Sequence, residues 1–124
     1  MDKKPRILFV DDEDNIRLLY KTTFTKEGYE VLLASSGEEA LEILQKDRDI
    51  DLIVLDIKMK GMSGLDALQK IVKEELKIPV ILSTAYVSYQ EDYMSWFADA
   101  YVVKQADLTE LKNEIKRLLS ERKK

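Results

Sequence analysis

Leu52-Ile53-Val54-Leu55-Asp56 is the stretch that decides the architecture. Side chains alternate along a strand, so four apolar residues in succession leave it with no polar face and both faces must be covered. A parallel sheet with helices packed on each side meets that requirement. The spacing predicts a strand over Asp51–Leu55 that stops at the carboxylate of Asp56.

Two more runs behave alike. Ile7-Leu8-Phe9-Val10 stops at Asp11 and Asp12, and Val80-Ile81-Leu82, inside a predicted strand Pro79–Ser83, stops at Thr84. A fourth strand is expected over Glu30–Ala34, where polar residues intervene as at a sheet edge. A fifth is expected over Ala100–Val103, with Lys104 next. Between them lie amphipathic stretches, so the chain reads as strand then helix five times over, the pattern of parallel strands joined by crossover helices.

Helix limits are marked by chemistry. Ser36 with Glu39 and Asp107 with Glu110 have the spacing of capping boxes, and Gly28 fits the position closing the first helix. Ala40, Leu41 and Leu44, then Leu108, Leu111, Ile115, Leu118 and Leu119, recur at helical spacing and are expected to pack on the sheet.

The 124 residues suit a single domain spanning 1–124, 45% hydrophobic and 35% charged. A net charge of −4 argues against nucleic acid as a partner. Without cysteine or histidine the chain has no disulfide, thiolate nucleophile, His-metal site or Ser-His-Asp triad. It shows no signal-peptide core and no apolar run long enough for a bilayer, so it reads as cytoplasmic with no membrane partner. Only Ser120–Lys124 follow Leu119, so any effector is expected to be a separate molecule.

In an open parallel sheet the carboxyl ends of the strands share one edge, where ligands bind near the reversal of strand order. Asp11, Asp12, Asp56, Thr84 and Lys104 should therefore converge on one crevice. Each alone has an ordinary explanation; the Asp11–Asp14 run, for one, serves equally as a solvated helix start. Five together are harder to dismiss.

The segments ILFVDDE, GYEVLLASSGEEALEIL, LIVLDIKM, MSGLDAL, IPVILSTAY and ADAYVVK, in that order from Arg6 to Leu119, resemble the receiver domains of bacterial two-component response regulators. The likeness extends to the single-domain regulator of the sporulation phosphorelay. It implies a flavodoxin-like (βα)5 doubly wound fold with strand order 2-1-3-4-5. It further implies Asp56 as phosphoacceptor, with Mg²⁺ held by Asp11, Asp12, Asp56 and the backbone carbonyl of Lys58. Thr84 and Lys104 would contact the phosphoryl oxygens, with Thr84 and Tyr101 forming the switch and Lys58 and Tyr86 tuning dephosphorylation. Tyr101 serves equally as a packed strand aromatic, and Lys58 as a solvated side chain.

The charges agree with that implication. Three carboxylates against one ammonium leave two negative charges in the crevice, a self-repelling cluster suited to a divalent cation. Mg²⁺ is a hard ion that takes one or two carboxylates, waters and a phosphate oxygen. Transfer of a phosphoryl group to a carboxylate needs positioning and charge neutralisation more than proton movement, so the absence of histidine is no obstacle. The donor would be a histidine kinase, a histidine phosphotransfer protein or a small acyl phosphate. The domain would catalyse its own phosphorylation and dephosphorylation without being a turnover enzyme.

Three departures from the family bear on local geometry. Gln105 follows Lys104 where a cis-proline is usual, Lys60 stands at a common proline, and Phe97 at a common glycine. Tyr86, Tyr89, Tyr93, Trp96 and Phe97 put half of the ten aromatics in twelve residues. Part of that set must pack on the sheet. The rest suggests that the face of the fourth helix, fifth strand and last helix docks a downstream protein or a second copy. Asn15, Ile16 and Leu19, beside the acidic pair, are candidates for docking the upstream partner, with core packing the alternative for Ile16 and Leu19.

Other classes remain in view. A haloacid-dehalogenase-type phosphatase needs a second aspartate where Lys58 stands, and a cap domain. A flavin-binding protein needs a phosphate loop after the first strand, where the acidic run would repel it. A phosphorylation-independent docking module would not need five intact polar groups.

Overall fold

The computed structural model describes residues 3–74, 77–85, 97–104 and 107–122. Strands β1 (Arg6–Val10), β2 (Glu30–Ala34), β3 (Leu52–Asp56), β4 (Val80–Thr84) and β5 (Ala100–Val103) form one parallel sheet in the order β2-β1-β3-β4-β5. Helices α1 (Asp14–Lys26), α2 (Gly37–Lys46), α3 (Gly64–Lys73) and α4 (Thr109–Arg122) accompany them among the described residues. The fourth crossover helix expected around Tyr89–Phe97 lies outside those residues except for Phe97.

Strand alternation sorts the core into two layers. Leu8, Val10, Ile53, Leu55 and Leu82 pack with Ala40, Leu44, Leu68 and Ile71 of α2 and α3. Ile7, Phe9, Leu52, Val54, Ile81 and Val102 pack with Tyr20 and Phe24 of α1 and Leu111 and Ile115 of α4. Phe9 lies 4.9 Å, ring to ring, from both Tyr20 and Phe24. The three central strands are buried on both faces, and β2 is an edge, as their composition requires.

The expected ends of β3 and β4 are corrected by one residue each. Asp56 and Thr84 are the last members of their strands, paired in register with Ser83 and Val103. A ladder is made by the backbone, so a polar side chain does not stop it.

Gly28 closes α1 at a φ of +95°. Its N–H donates to the Thr25 carbonyl and that of Tyr29 to Phe24, while the Phe24 and Tyr29 rings lie 6.3 Å apart. This is the Schellman pattern with its hydrophobic contact. Ser36 caps α2 by accepting the Glu39 N–H at 3.0 Å, but the Glu39 carboxylate takes the N–H of Ser35, not that of Ser36. Asp107 accepts from Thr109 N–H at 2.9 Å and from its hydroxyl at 2.6 Å, so the box expected with Glu110 is instead a tight turn before α4.

Candidate functional site

Which strand-end groups meet follows from alternation. Ile7 and Phe9, Leu52 and Val54, and Val102 all face the α1/α4 layer. Continued by one step of two residues, each row reaches Asp11, Asp56 and Lys104 on the same side of the carboxyl edge. There the Lys104 ammonium lies 2.6 Å from Asp11 Oδ2 and 3.3 Å from Asp56 Oδ2.

Asp12 completes the group. One oxygen from each of Asp11, Asp12 and Asp56 lies within 4.8 Å of the others; the first and last residues are buried and Asp12 is half-buried. Their parent strands β1 and β3 flank the point where the winding reverses, the expected place for a ligand. Thr84, fully buried, ends the next strand, and its carbonyl accepts the Lys104 N–H at 2.6 Å.

Local bonds hold the carboxylates in place. Glu13 N–H donates to Asp11 Oδ1 at 3.0 Å, and Arg17 Nη1 donates to the Asp11 carbonyl at 2.6 Å while pairing with Asp14. Lys60 N–H donates to Asp12 Oδ2 at 3.2 Å. A proline there would have no N–H to give, so this tie depends on the departure noted in the sequence.

Burial pushes the Asp56 carboxyl up to about 6, against the pull of Lys104 and with help from the Asp11 charge. Burial alone would lower Lys104, but its bond to Asp11 and the charge of Asp56 outweigh this and hold it above its ordinary value. Among the described residues three carboxylates and one ammonium meet there, so the crevice is short of positive charge and the ligands it offers a metal are oxygens. That donor set fits a hard cation such as Mg²⁺ and gives a softer metal no nitrogen or sulfur.

Other expected residues are placed as follows. Lys58 is exposed on the loop after β3, and Tyr101 is half-buried against the α2/α3 layer. Asn15 is exposed, Ile16 half-buried and Leu19 41% exposed, so the core role for Leu19 is not what the fold uses. Leu18 beside it is 65% exposed. An apolar cleft of about 250 Å³ runs between α1 and α4, lined by Ile16, Leu19, Leu108 and Leu111, with Tyr20 and Lys104 also on its wall. Phe97 is 45% exposed. Tyr86, Tyr89, Tyr93, Trp96 and Gln105 lie outside the described residues.

Sequence reasoning missed Arg17, Gly64, Tyr20 and Ser83. The Tyr20 hydroxyl, hydrogen-bonded to Ser83, sits close enough to feel the charges of Lys104, Asp11 and Asp56. Gly64 forms the first turn of α3, and its N–H donates to the Ile57 carbonyl at 2.7 Å. A glycine at a helix start eight residues past Asp56 was the one available signal; the other contacts are tertiary and leave no local pattern.

The family model for the response regulator receiver domain matches residues 7–116. This chain belongs to the response regulator receiver family. Sporulation initiation phosphotransferase F of Bacillus subtilis is 35% identical to the receiver over 116 residues, covering 92% of the chain and 93% of the relative. The crystal structure of the response regulator TrrA from Thermotoga maritima in complex with Mg²⁺-BeF superposes with a TM-score of 0.88. It is 47% identical and covers 92% of the receiver and 98% of that chain. TrrA in complex with the histidine kinase ThkA gives 0.86 at 48% identity, covering 93% and 98%. Several curated relatives are longer proteins, of which the receiver spans 25% in one case and 47–52% in others. It is a receiver domain of two-component signalling, with the strand order its sequence implied. Among the described residues no helix is long and apolar enough to cross a membrane.

Proposed function

We propose that residues 1–124 act as one phosphoacceptor unit in which Asp56 takes a phosphoryl group from a histidine kinase, a phosphotransfer protein or a small acyl phosphate. The observation that carries this reading is the meeting of the Asp11, Asp12 and Asp56 carboxylates within 4.8 Å, with the Lys104 ammonium joining Asp11 to Asp56. The relatives solved with Mg²⁺-BeF and with a histidine kinase support it.

Asp11, Asp12 and Asp56, with the Lys58 carbonyl, would hold Mg²⁺. Bound there, the ion supplies charge neutralisation for the carboxylates and the incoming phosphoryl oxygens. Asp56 attacks phosphorus in line, its carboxylate oxygen forming the new bond as the donor's P–N or P–O bond breaks and the leaving group keeps the electron pair. One carboxylate charge is thereby replaced by roughly two on the phosphoryl group. Lys104, already 3.3 Å from Asp56, follows the new charge and gives up its hold on Asp11. The Thr84 hydroxyl turns to the same oxygens and Tyr101 moves into the space it leaves, carrying the change to β5 and the last helix. The unit modifies itself once per signal and turns over no substrate.

The apolar cleft between α1 and α4, with exposed Leu18 and Leu19 at its side, suits the docking of an apolar helix from the upstream partner. Exposed Phe97 supports a second surface for the downstream target or a second copy. Lys58, exposed on the loop after β3, is a bulky side chain two residues past Asp56 that would obstruct water, so the phosphoryl state is long-lived. A cytoplasmic site of action fits a chain that meets kinases inside the cell.

Intact-mass measurement after incubation with a small acyl phosphate tests the reading. A phosphoryl-sized gain is expected with Mg²⁺, absent without it and absent in Asp56→Ala. A gain that survives that substitution removes Asp56 from its role. No gain in wild type under any condition favours a docking module that works unmodified.

A further inference from the structure

Two helices of this fold begin with the same pair of residues. Ser36-Gly37 opens α2 and Ser63-Gly64 opens α3, and each serine accepts the amide three residues on, Glu39 at 3.0 Å and Asp66 at 3.1 Å. Glycine is a poor helix former, so its use twice at the first helical position calls for a reason. Neither residue has the left-handed φ that glycine alone adopts comfortably. The reason must be contact.

The contacts differ sharply. The three atoms nearest a Cβ built on Gly37 all belong to the side chain of Met62, at 3.2 to 3.3 Å, and a flexible thioether can give way. A Cβ on Gly64 would lie 1.9 Å from the carbonyl oxygen of Asp56, 2.7 Å from its carbonyl carbon and 2.8 Å from the Cα of Ile57. All three are backbone atoms, and they cannot rotate aside.

We infer that Gly64 is a positioning residue for Asp56, its missing side chain letting the first turn of α3 seat directly on the peptide that carries the acceptor carboxylate. The Gly64 N–H donates to the Ile57 carbonyl at 2.7 Å, so the turn is bonded to that peptide as well as pressed on it. Relieving a 1.9 Å contact requires the helix and the strand end to part by more than an ångström. The loop between them carries Lys58 and also Lys60, whose N–H holds Asp12. One methyl group at Gly64 therefore alters the spacing of Asp56 from both Asp11 and Asp12.

The inference rests on the proposed role of Asp56, and its test separates the two. Gly64→Ala and Gly37→Ala are compared with wild type by thermal unfolding, by calorimetric titration with MgCl₂, by phosphorylation rate with an acyl phosphate, and by backbone amide NMR without metal. Folded Gly64→Ala should bind Mg²⁺ at least tenfold more weakly and react at least tenfold more slowly. Its metal-free amide shifts should centre on Asp56, Ile57 and Lys58. Gly37→Ala should stay within twofold of wild type in both constants. If Gly64→Ala folds and also stays within twofold, with those amides unmoved, the inference is overturned. Should Gly64→Ala not fold in buffer, all measurements are repeated with wild type in an osmolyte that favours the compact state. A variant still unfolded there also overturns it, since Gly64 would then be a requirement of the fold and not of site spacing. If wild type neither binds Mg²⁺ nor reacts, the proposed function falls, and the metal-free shifts still judge the displacement.

Discussion

Asp56→Asn should make the metal-free protein more stable at neutral pH. The residue is only 6% exposed, and burial raises its carboxyl from an ordinary 3.8 to about 6. A group with a raised pKa holds its proton more tightly in the folded state, so the folded protein binds the extra proton between those two values. Stability from this group is therefore greatest below about pH 4 and falls as pH rises through 6. The interval is worth about 3 kcal/mol at 1.36 kcal/mol per pH unit.

Asparagine keeps the shape and removes the charge, so it should recover about 2 to 3 kcal/mol at pH 7.5 and almost nothing at pH 4. For a chain of this length about 4 °C accompanies each kcal/mol, giving a rise in midpoint of roughly 10 °C. Urea and thermal unfolding followed by circular dichroism, in a chelator and across pH 4 to 8, would measure it. Saturating Mg²⁺ should stabilise wild type alone, by about 2.7 kcal/mol at a hundred times its dissociation constant, and so close the gap. A variant no more stable than wild type at pH 7.5, or a gain equally large at pH 4, would refute the view that this carboxylate is held against its own repulsion and burial.

Below pH 6, protons compete with Mg²⁺ for Asp56, so calorimetric titration should find affinity falling about tenfold per pH unit. Lys104→Met removes the ammonium bonded to the Asp11 and Asp56 carboxylates and leaves these two buried groups facing each other. Urea unfolding without metal at pH 7.5 should register a loss of about 3 kcal/mol or more, smaller at pH 4. Gly28→Ala meets no atom within 4 Å, so its cost is that of a left-handed φ alone, about 1 kcal/mol or a fall of about 4 °C in the thermal midpoint.

The sheet was legible because Ile7–Val10, Leu52–Leu55 and Val80–Leu82 are apolar on both faces, and only a central strand of a covered sheet satisfies such a run. The site was legible for a related reason: parallel strands bring their carboxyl ends to one edge, so Asp11, Asp12, Asp56 and Lys104 could be collected from distant positions, with Thr84 ending the neighbouring strand. What stayed hidden involves the backbone or a tertiary neighbour. Nothing in the spacing of Lys60 and Asp12 says that one donates an amide to the other, and nothing about Gly64 says how close it comes to Asp56. The ladder likewise runs one residue past the last apolar side chain of β3, because strand pairing ignores what the side chain is.

The two edges of this sheet show why acidic clusters of similar composition carry different meanings. At the amino edge Arg6 binds Glu30 at 2.8 Å and Asp47 at 2.9 Å, its amide donates to Asp51 at 2.7 Å, and Lys3 pairs with Asp49. Glu30, Asp47 and Asp49 have cationic partners and Asp51 takes a backbone amide, and the cluster ties β1, β2 and the segment before β3 together. At the carboxyl edge three carboxylates meet beside one ammonium among the described residues, and burial, helped by the Asp11 charge, pushes Asp56 towards neutrality. An excess of negative charge of this kind is relieved by protonation or by a cation taken from solution. The Arg6 edge is closed by its own ion pairs, whereas the carboxyl edge is left with charge that a bound cation would balance.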